Sequence, residues 1–218
     1  MNTEAIEMLV AKWAEPNGIP FKGNLISDDG CMCAQGQALH YVGGLTDDQL
    51  RNIEQNEADK KTARLLGISV AHAVFLRKIN DSQPGSPSVV LTDPAQVIGD
   101  QAETVLAFWR HLDRMSEASW KAAWEASRKA SWKAAWEASR KAPRVASWKA
   151  AREASQETAW EAAWEAAWEA SRETAGYATN EIQGAAIMRE RGQPFYFLPL
   201  FGFADPEAVL AADKELNQ

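Results

Sequence analysis

Cysteine and histidine are the residues whose chemistry stands out first. Cys31 and Cys33 are the only cysteines, and His40 follows Cys33 by seven residues. On a helix that spacing is two turns, which puts thiol and imidazole on one face. A thiolate–imidazole pair could act as nucleophile and base. The same three side chains could hold zinc, given a distant fourth ligand such as His72. No second cysteine pair accompanies them, so the expectation is two buried or half-buried structural thiols, with no catalytic residue, metal or cofactor. One intervening residue makes a mutual disulfide awkward, and reduced thiols suit a cytoplasmic protein.

A second constellation is larger. Eight of the ten tryptophans fall between residues 120 and 168, inside a four-residue repeat. The twelve residues Ala118–Lys129 recur identically as Ala130–Lys141. One column of the repeat holds Trp120, Trp124, Arg128, Trp132, Trp136, Arg140, Arg144, Trp148 and Arg152. Indoles stack on bases and guanidinium groups meet phosphates, so this column is the candidate ligand- or partner-binding surface. Packing of the indoles inside the protein is the competing reading.

The elements carrying these residues read as all-α. Ala5, Ile6, Leu9, Val10 and Trp13 recur at helical spacing before Pro16-Asn17-Gly18. A second helix is expected over Cys31–Val42, ending at Gly43-Gly44. Thr46-Asp47-Asp48-Gln49 matches a capping box. Ala63, Leu65 and Leu66 lead to Gly67, and Ser69 can cap the segment of Val70, Val74, Phe75 and Ile79. A loop is expected from Asn80 to Pro87, and a helix start at Thr92-Asp93-Pro94. Gln101–Met115 is amphipathic through Val105, Leu106, Trp109 and Leu112, with nothing to stop it running on into the repeat. His72 and His111 lie beside apolar residues, as core or boundary histidines do.

Within the repeat, Ala, Glu, Lys and Arg favour helix, and no glycine occurs between Gly99 and Gly176. Four residues turn a helix by about 400°, so each column drifts about 40° per unit. No straight helix keeps these tryptophans on one seam. A helix apolar on most sides has neighbours on most sides. Unbroken, the repeat would extend on the order of 85 Å at about 1.5 Å per residue. Pro143 marks either a turn between two helices or a kink in one long helix that pairs with a second chain. Residues 118–141 carry six bases and two acids, whereas 148–173 carry three bases and six acids. This asymmetry suits antiparallel pairing, within one chain or across a homo-oligomer.

After the repeat, a helix is expected over Tyr177–Arg191. The apolar run Phe195–Phe203 is broken by Pro199, and reads as an extended strap rather than a strand. Asp205-Pro206-Glu207 opens a final helix. The expected organisation is a helical N-terminal domain over 1–115, a repeat region over 116–175, and a C-terminal helix and aromatic strap over 176–218.

Composition narrows the function. The net charge is −7 and the sequence pI about 5.1, which argues against general binding to nucleic acid or anionic membrane. No run of 18 apolar residues exists, so no transmembrane helix is expected. Met1-Asn2-Thr3-Glu4 has no basic stretch, so no secretory leader is expected. The acidic second half of the repeat would repel a phosphate backbone. A small anionic ligand escapes that objection.

Three segments carry a resemblance: Gly30-Cys31-Met32-Cys33, Leu65-Leu66-Gly67-Ile68 and Phe75-Leu76-Arg77-Lys78-Ile79-Asn80-Asp81. They resemble small proteins of tailed phages and prophages, over about a third of the chain. The repeat is similar to Ala/Trp/Arg tetrad runs in bacterial immunity proteins. The resemblance implies a phage setting, the host cytoplasm, and a non-catalytic accessory or counter-defence protein. Such a protein would bind a host protein or sequester a small anionic, nucleotide-like ligand. The alternatives are an enzyme using Cys33 and His40, and a Trp/Arg nucleic-acid binder.

Overall fold

The computed structural model describes residues 1–82, 87–123, 125, 195 and 198–216. Within these the protein is all-α, and the only β-type pairing is an isolated antiparallel bridge between Ile26 and Met32. Among the described residues no helix is long and apolar enough to cross a membrane. The chain divides into two compact units, Met1–Asp113 and Arg114–Gln218.

In the first unit, α1 spans Thr3–Trp13 and buries Ala5, Ile6, Leu9 and Trp13. Asn2 caps it, its Oδ1 accepting from the Ala5 N–H. The same residue reaches α4 (Gln55–Leu66), donating from its backbone N–H to the Leu66 carbonyl at 2.8 Å and from Nδ2 to the Leu65 carbonyl at 3.0 Å. Gly67 ends α4 in the left-handed conformation, φ 61°. A Cβ there would stand 2.8 Å from the Asn2 nitrogen, so glycine serves both the turn and the close approach.

The expected Cys31–Val42 helix starts late. Residues 31–33 are occupied by other hydrogen bonds: Phe21 N–H donates to the Met32 carbonyl, and Cys33 N–H to the Leu25 carbonyl. The α-helix α2 is therefore only Ala34–Gln37, continued by a π-helical turn over Ala38–Val42. Gly43-Gly44 end it as expected, with Gly43 N–H bonded to Ala38 and Gly44 N–H to His40. The short helix α3, Asp47–Asn52, carries the full capping box: the Thr46 hydroxyl accepts from Gln49 N–H and Gln49 Oε1 accepts from Thr46 N–H.

Helix α5 runs Val70–Ser82. Asn80 and Asp81 belong to it rather than to a loop, because both side chains are tied down: Asn80 Nδ2 donates to the Phe21 carbonyl at 2.7 Å, and Asp81 accepts from Gly23 N–H at 2.9 Å. Ser69 caps α5 at His72 N–H, and Asp113 accepts from Val70 N–H at 2.8 Å. Helix α6, Pro87–Thr92, begins at the last residue of the expected loop and ends at Thr92, where a helix start was expected; the next helix, α7, covers Ala95–Ile98 behind Pro94. Helix α8, Ala102–Arg114, buries Val105, Phe108, Trp109 and Leu112.

A buried polar knot joins α2, α4 and α5. Arg77 grips Asp59 as a fork, Nε to Oδ1 at 3.3 Å and Nη2 to Oδ2 at 3.2 Å. Gln35 donates to Asp59 at 2.7 Å, and Gln55 donates to both Gln35 and Asp59. Asp59 is 2% and Arg77 9% exposed. Removing one partner of such a pair strands a charge in low dielectric.

In the second unit the repeat does not continue α8. Met115 and Ser116 are not helical, and a new helical stretch covers 117–123. Ser116 restarts it: its Oγ accepts from Ser119 N–H and its carbonyl from Trp120 N–H. The aromatic strap is not wholly extended either. Leu198–Phe201 closes a 3₁₀ turn, with Phe203 N–H bonded to the Leu198 carbonyl; Pro199 has its φ already near helical values. Phe195, Leu198, Phe201 and Phe203 are buried. The last helix, α9, is Pro206–Leu216, capped by Asp205 at Ala208 N–H. Arg114 pairs with Asp213 at 3.6 Å. Pro143 and the helix expected over 177–191 lie outside the described residues.

Asp59→Ala should destabilise the first unit by about 3–5 kcal/mol, the cost of stranding a buried charge. Thr46→Ala should cost only about 1 kcal/mol, the value of an N-cap. Urea unfolding followed by far-UV circular dichroism separates the two; equal effects would remove the polar knot from its structural role.

Candidate functional site

The Cys/His group is built from the loop before α2. Ser27 to Cys31 forms a tight turn, with Ser27 N–H donating to the Cys31 carbonyl at 2.8 Å. Ser27 Oγ also bonds the Asp29 carboxylate, and this bond, together with the Cys31 backbone, holds Asp29 below its ordinary carboxylate range. Cys31 is exposed beside that turn.

Cys33 is fully buried and sits one step outside α2 in extended conformation, ψ 172°. Its sulfur accepts from Gly36 N–H at 3.3 Å and so caps the helix. Burial pushes the thiol up from its ordinary range, against the opposing pull of the Gly36 and Gln35 backbone N–H groups. A capped, desolvated thiol is a poor source of thiolate. Gly36 makes this geometry possible, since a Cβ there would lie 1.9 Å from the Leu25 carbonyl oxygen.

His40 lies in the π turn, and its Nδ1 bonds the Leu45 carbonyl at 2.7 Å. Cys33 therefore stands at the cap and His40 beyond a wider turn, so the expected two-turn α-helical register between them does not exist. Among the described residues no group of three His, Cys, Asp or Glu side chains is placed to hold a metal ion.

His72 is a core histidine, as the sequence predicts. Its Nε2 donates to the Val90 carbonyl at 2.8 Å, and its ring lies 6.2 Å from that of Trp109, which also meets Phe75 at 5.6 Å. Desolvation lowers its pKa to about 4. His111 stacks with Phe108, ring centres 6.5 Å apart.

Of the Trp/Arg column, Trp120 is described. It is half-buried and meets Phe201 edge-to-face, ring centres 6.1 Å apart at 87°. Ala123, three residues on, is buried. Trp124, Arg128, Trp132, Trp136, Arg140, Arg144, Trp148 and Arg152 lie outside the described residues.

The polar knot of Gln35, Gln55, Asp59 and Arg77 escaped the sequence reading. Its signal was present: Asp59 falls on the same stripe of α4 as Ala58, Thr62, Ala63 and Leu66, all buried. A charged residue in an apolar stripe requires a partner. Compared with family models, curated proteins and solved structures, the chain matches none.

A neutral buried histidine carries a pH signature. With its folded pKa near 4 and an unfolded value near 6.5, His72 favours the unfolded chain as the pH falls from about 6.5 to 4, by up to about 3 kcal/mol. Above about pH 6.5 the effect vanishes. His72→Gln, which can still donate to Val90, should flatten this part of the stability–pH curve; an unchanged slope in the variant would assign the acid loss to other groups.

Proposed function

We propose that the protein is a non-catalytic, homo-oligomeric accessory protein of phage type. It acts in the host cytoplasm, binding a host protein or sequestering a small anionic, nucleotide-like ligand, with a counter-defence role. The observation that carries the non-catalytic part is the use of Cys33: its sulfur is a buried helix cap, and His40 is engaged by the Leu45 carbonyl. Both groups serve the backbone at the point where an enzyme would need them facing a substrate.

Recognition falls to the repeat. Its column holds both indoles and guanidinium groups, which suits stacking on a flat ring and pairing with phosphate. The edge-on contact of Trp120 with Phe201 supports a repeat whose rings are partly covered by protein, leaving selected faces for a ligand.

Affinity capture from host lysate, with mass spectrometry of proteins and small molecules, tests this directly. The wild type and the Cys33→Ser/His40→Ala double variant should retain the same partner per folded molecule. Replacing Arg128, Arg140, Arg144 and Arg152 by Gln should abolish retention. Loss of function in the double variant with the fold intact would establish the Cys/His enzyme instead. Tryptophan fluorescence at low salt distinguishes ligands: a response to nucleotides and none to oligonucleotides is expected, and the reverse pattern would establish nucleic-acid binding.

A further inference from the structure

Helix α6 ends in a way that its own backbone cannot complete. In an α-helix the Val90 carbonyl would accept from the N–H of residue 94, but residue 94 is proline and has none. The donor comes from α5 instead: His72 Nε2 reaches the Val90 carbonyl at 2.8 Å. Among the described residues this is the one side-chain hydrogen bond between α6 and another helix. It fixes the ring as its Nε2–H tautomer, neutral and 4% exposed. Burial of that kind opposes a positive charge, and the surroundings give no relief. Helix α6 has no ionisable side chain. On α8, Arg110 adds a repulsive charge, and the Asp113 carboxylate accepts from the Val70 N–H. On α5 itself the other charged residues begin at Arg77, which grips Asp59 of α4.

Trp109, whose ring lies beside that of His72, is a second group kept dry at a cost. Its Nε1–H is buried and has no hydrogen-bond partner among the described residues, which leaves a desolvated donor unsatisfied. Water entering beside His72 would relieve both groups. The elements around the ring differ in how firmly they are held. Helices α4 and α5 are joined by the Asp59/Arg77 fork, and α8 is tied to the start of α5 through Asp113. Helix α6 is six residues long and depends on buried Pro87, Val90 and Leu91 and on His72. Local opening begins at elements with the fewest ties.

We propose that α6 is an acid-released latch: protonation of His72 frees Pro87–Thr92 from α5 while α4, α5 and the polar knot stay in place. The imidazolium can still donate to Val90, so loss of that bond is not the trigger; the trigger is a charge that cannot stay dry. Release uncovers Val90 and Leu91 and gives the first unit an apolar face that is covered at neutral pH. The latch is independent of the repeat and of the proposed function.

Amide hydrogen exchange of the full chain, read segment by segment at pH 7.5 and pH 5 and corrected for the intrinsic exchange rate, tests it. With a closed-state pKa of about 4 and an open-state value near 6.5, protection of the α6 amides should fall about 25-fold between the two. The amides of α4 should keep theirs. In His72→Gln, which can still donate to Val90, the α6 loss should vanish. An equal loss in α4 and α6 would mean that the whole unit opens, and overturns the latch. Protection of α6 that does not change with pH overturns it as well, and so does a His72→Gln chain that keeps the wild-type loss. Should that variant fail to fold, the wild-type comparison of α6 with α4 decides alone.

Discussion

The first unit depends on one ion pair. Asp59 of α4 and Arg77 of α5 meet where water is excluded, and Gln35 from α2 and Gln55 complete their hydrogen bonding. Apolar attraction is non-directional and by itself leaves the register of two helices loosely specified. A two-pronged guanidinium–carboxylate fork does not, because only one register satisfies both prongs. Helix α5, set in this register, places Asn80 and Asp81 against residues 21–23 at its end and His72 against Val90 near its start.

The same economy governs the groups with chemical potential. A thiol, an imidazole and a buried carboxylate each serve as fasteners: Cys33 for the start of α2, His40 for the turn to Leu45, Asp59 for the helix triad. For Cys33, burial raises the thiol above its ordinary range, so its service as a cap comes with a smaller share of thiolate.

Much of the helical frame was legible in the sequence, and for local reasons. The periodicity of Ala5 to Trp13, the Thr46/Gln49 box, Gly67 and Asp205-Pro206 all act within one or two turns, and each end stands where those residues place it. Errors arose where a distant partner overrode local preference. Cys31 and Met32 are drawn into a bridge and turn by residues 21–27, which delays α2; Asn80 and Asp81, loop formers by type, stay helical because residues 21 and 23 bond their side chains. Ser116 was overlooked as a cap because the helical pattern continues on both sides of it. The candidate Cys/His site depended on a helical register across residues 33–40, and a π turn is not written in any single residue type. Of the Trp/Arg column, only the contact of Trp120 with Phe201 bears on whether its rings are covered.

Asn2 has a consequence for the order in which the chain matures. It caps α1 through the Ala5 N–H, yet its own backbone and amide nitrogens donate to Leu66 and Leu65, 63 residues further along in the case of Leu65. During translation these carbonyls leave the ribosome long after α1 does. Helix α1 therefore has the Gln37 side chain for Trp13 well before it has the two α4 carbonyls that hold its capping residue, and these need Gly67 beside them. In a nascent chain stalled before residue 65 the start of α1 would be held by its own Asn2 cap alone.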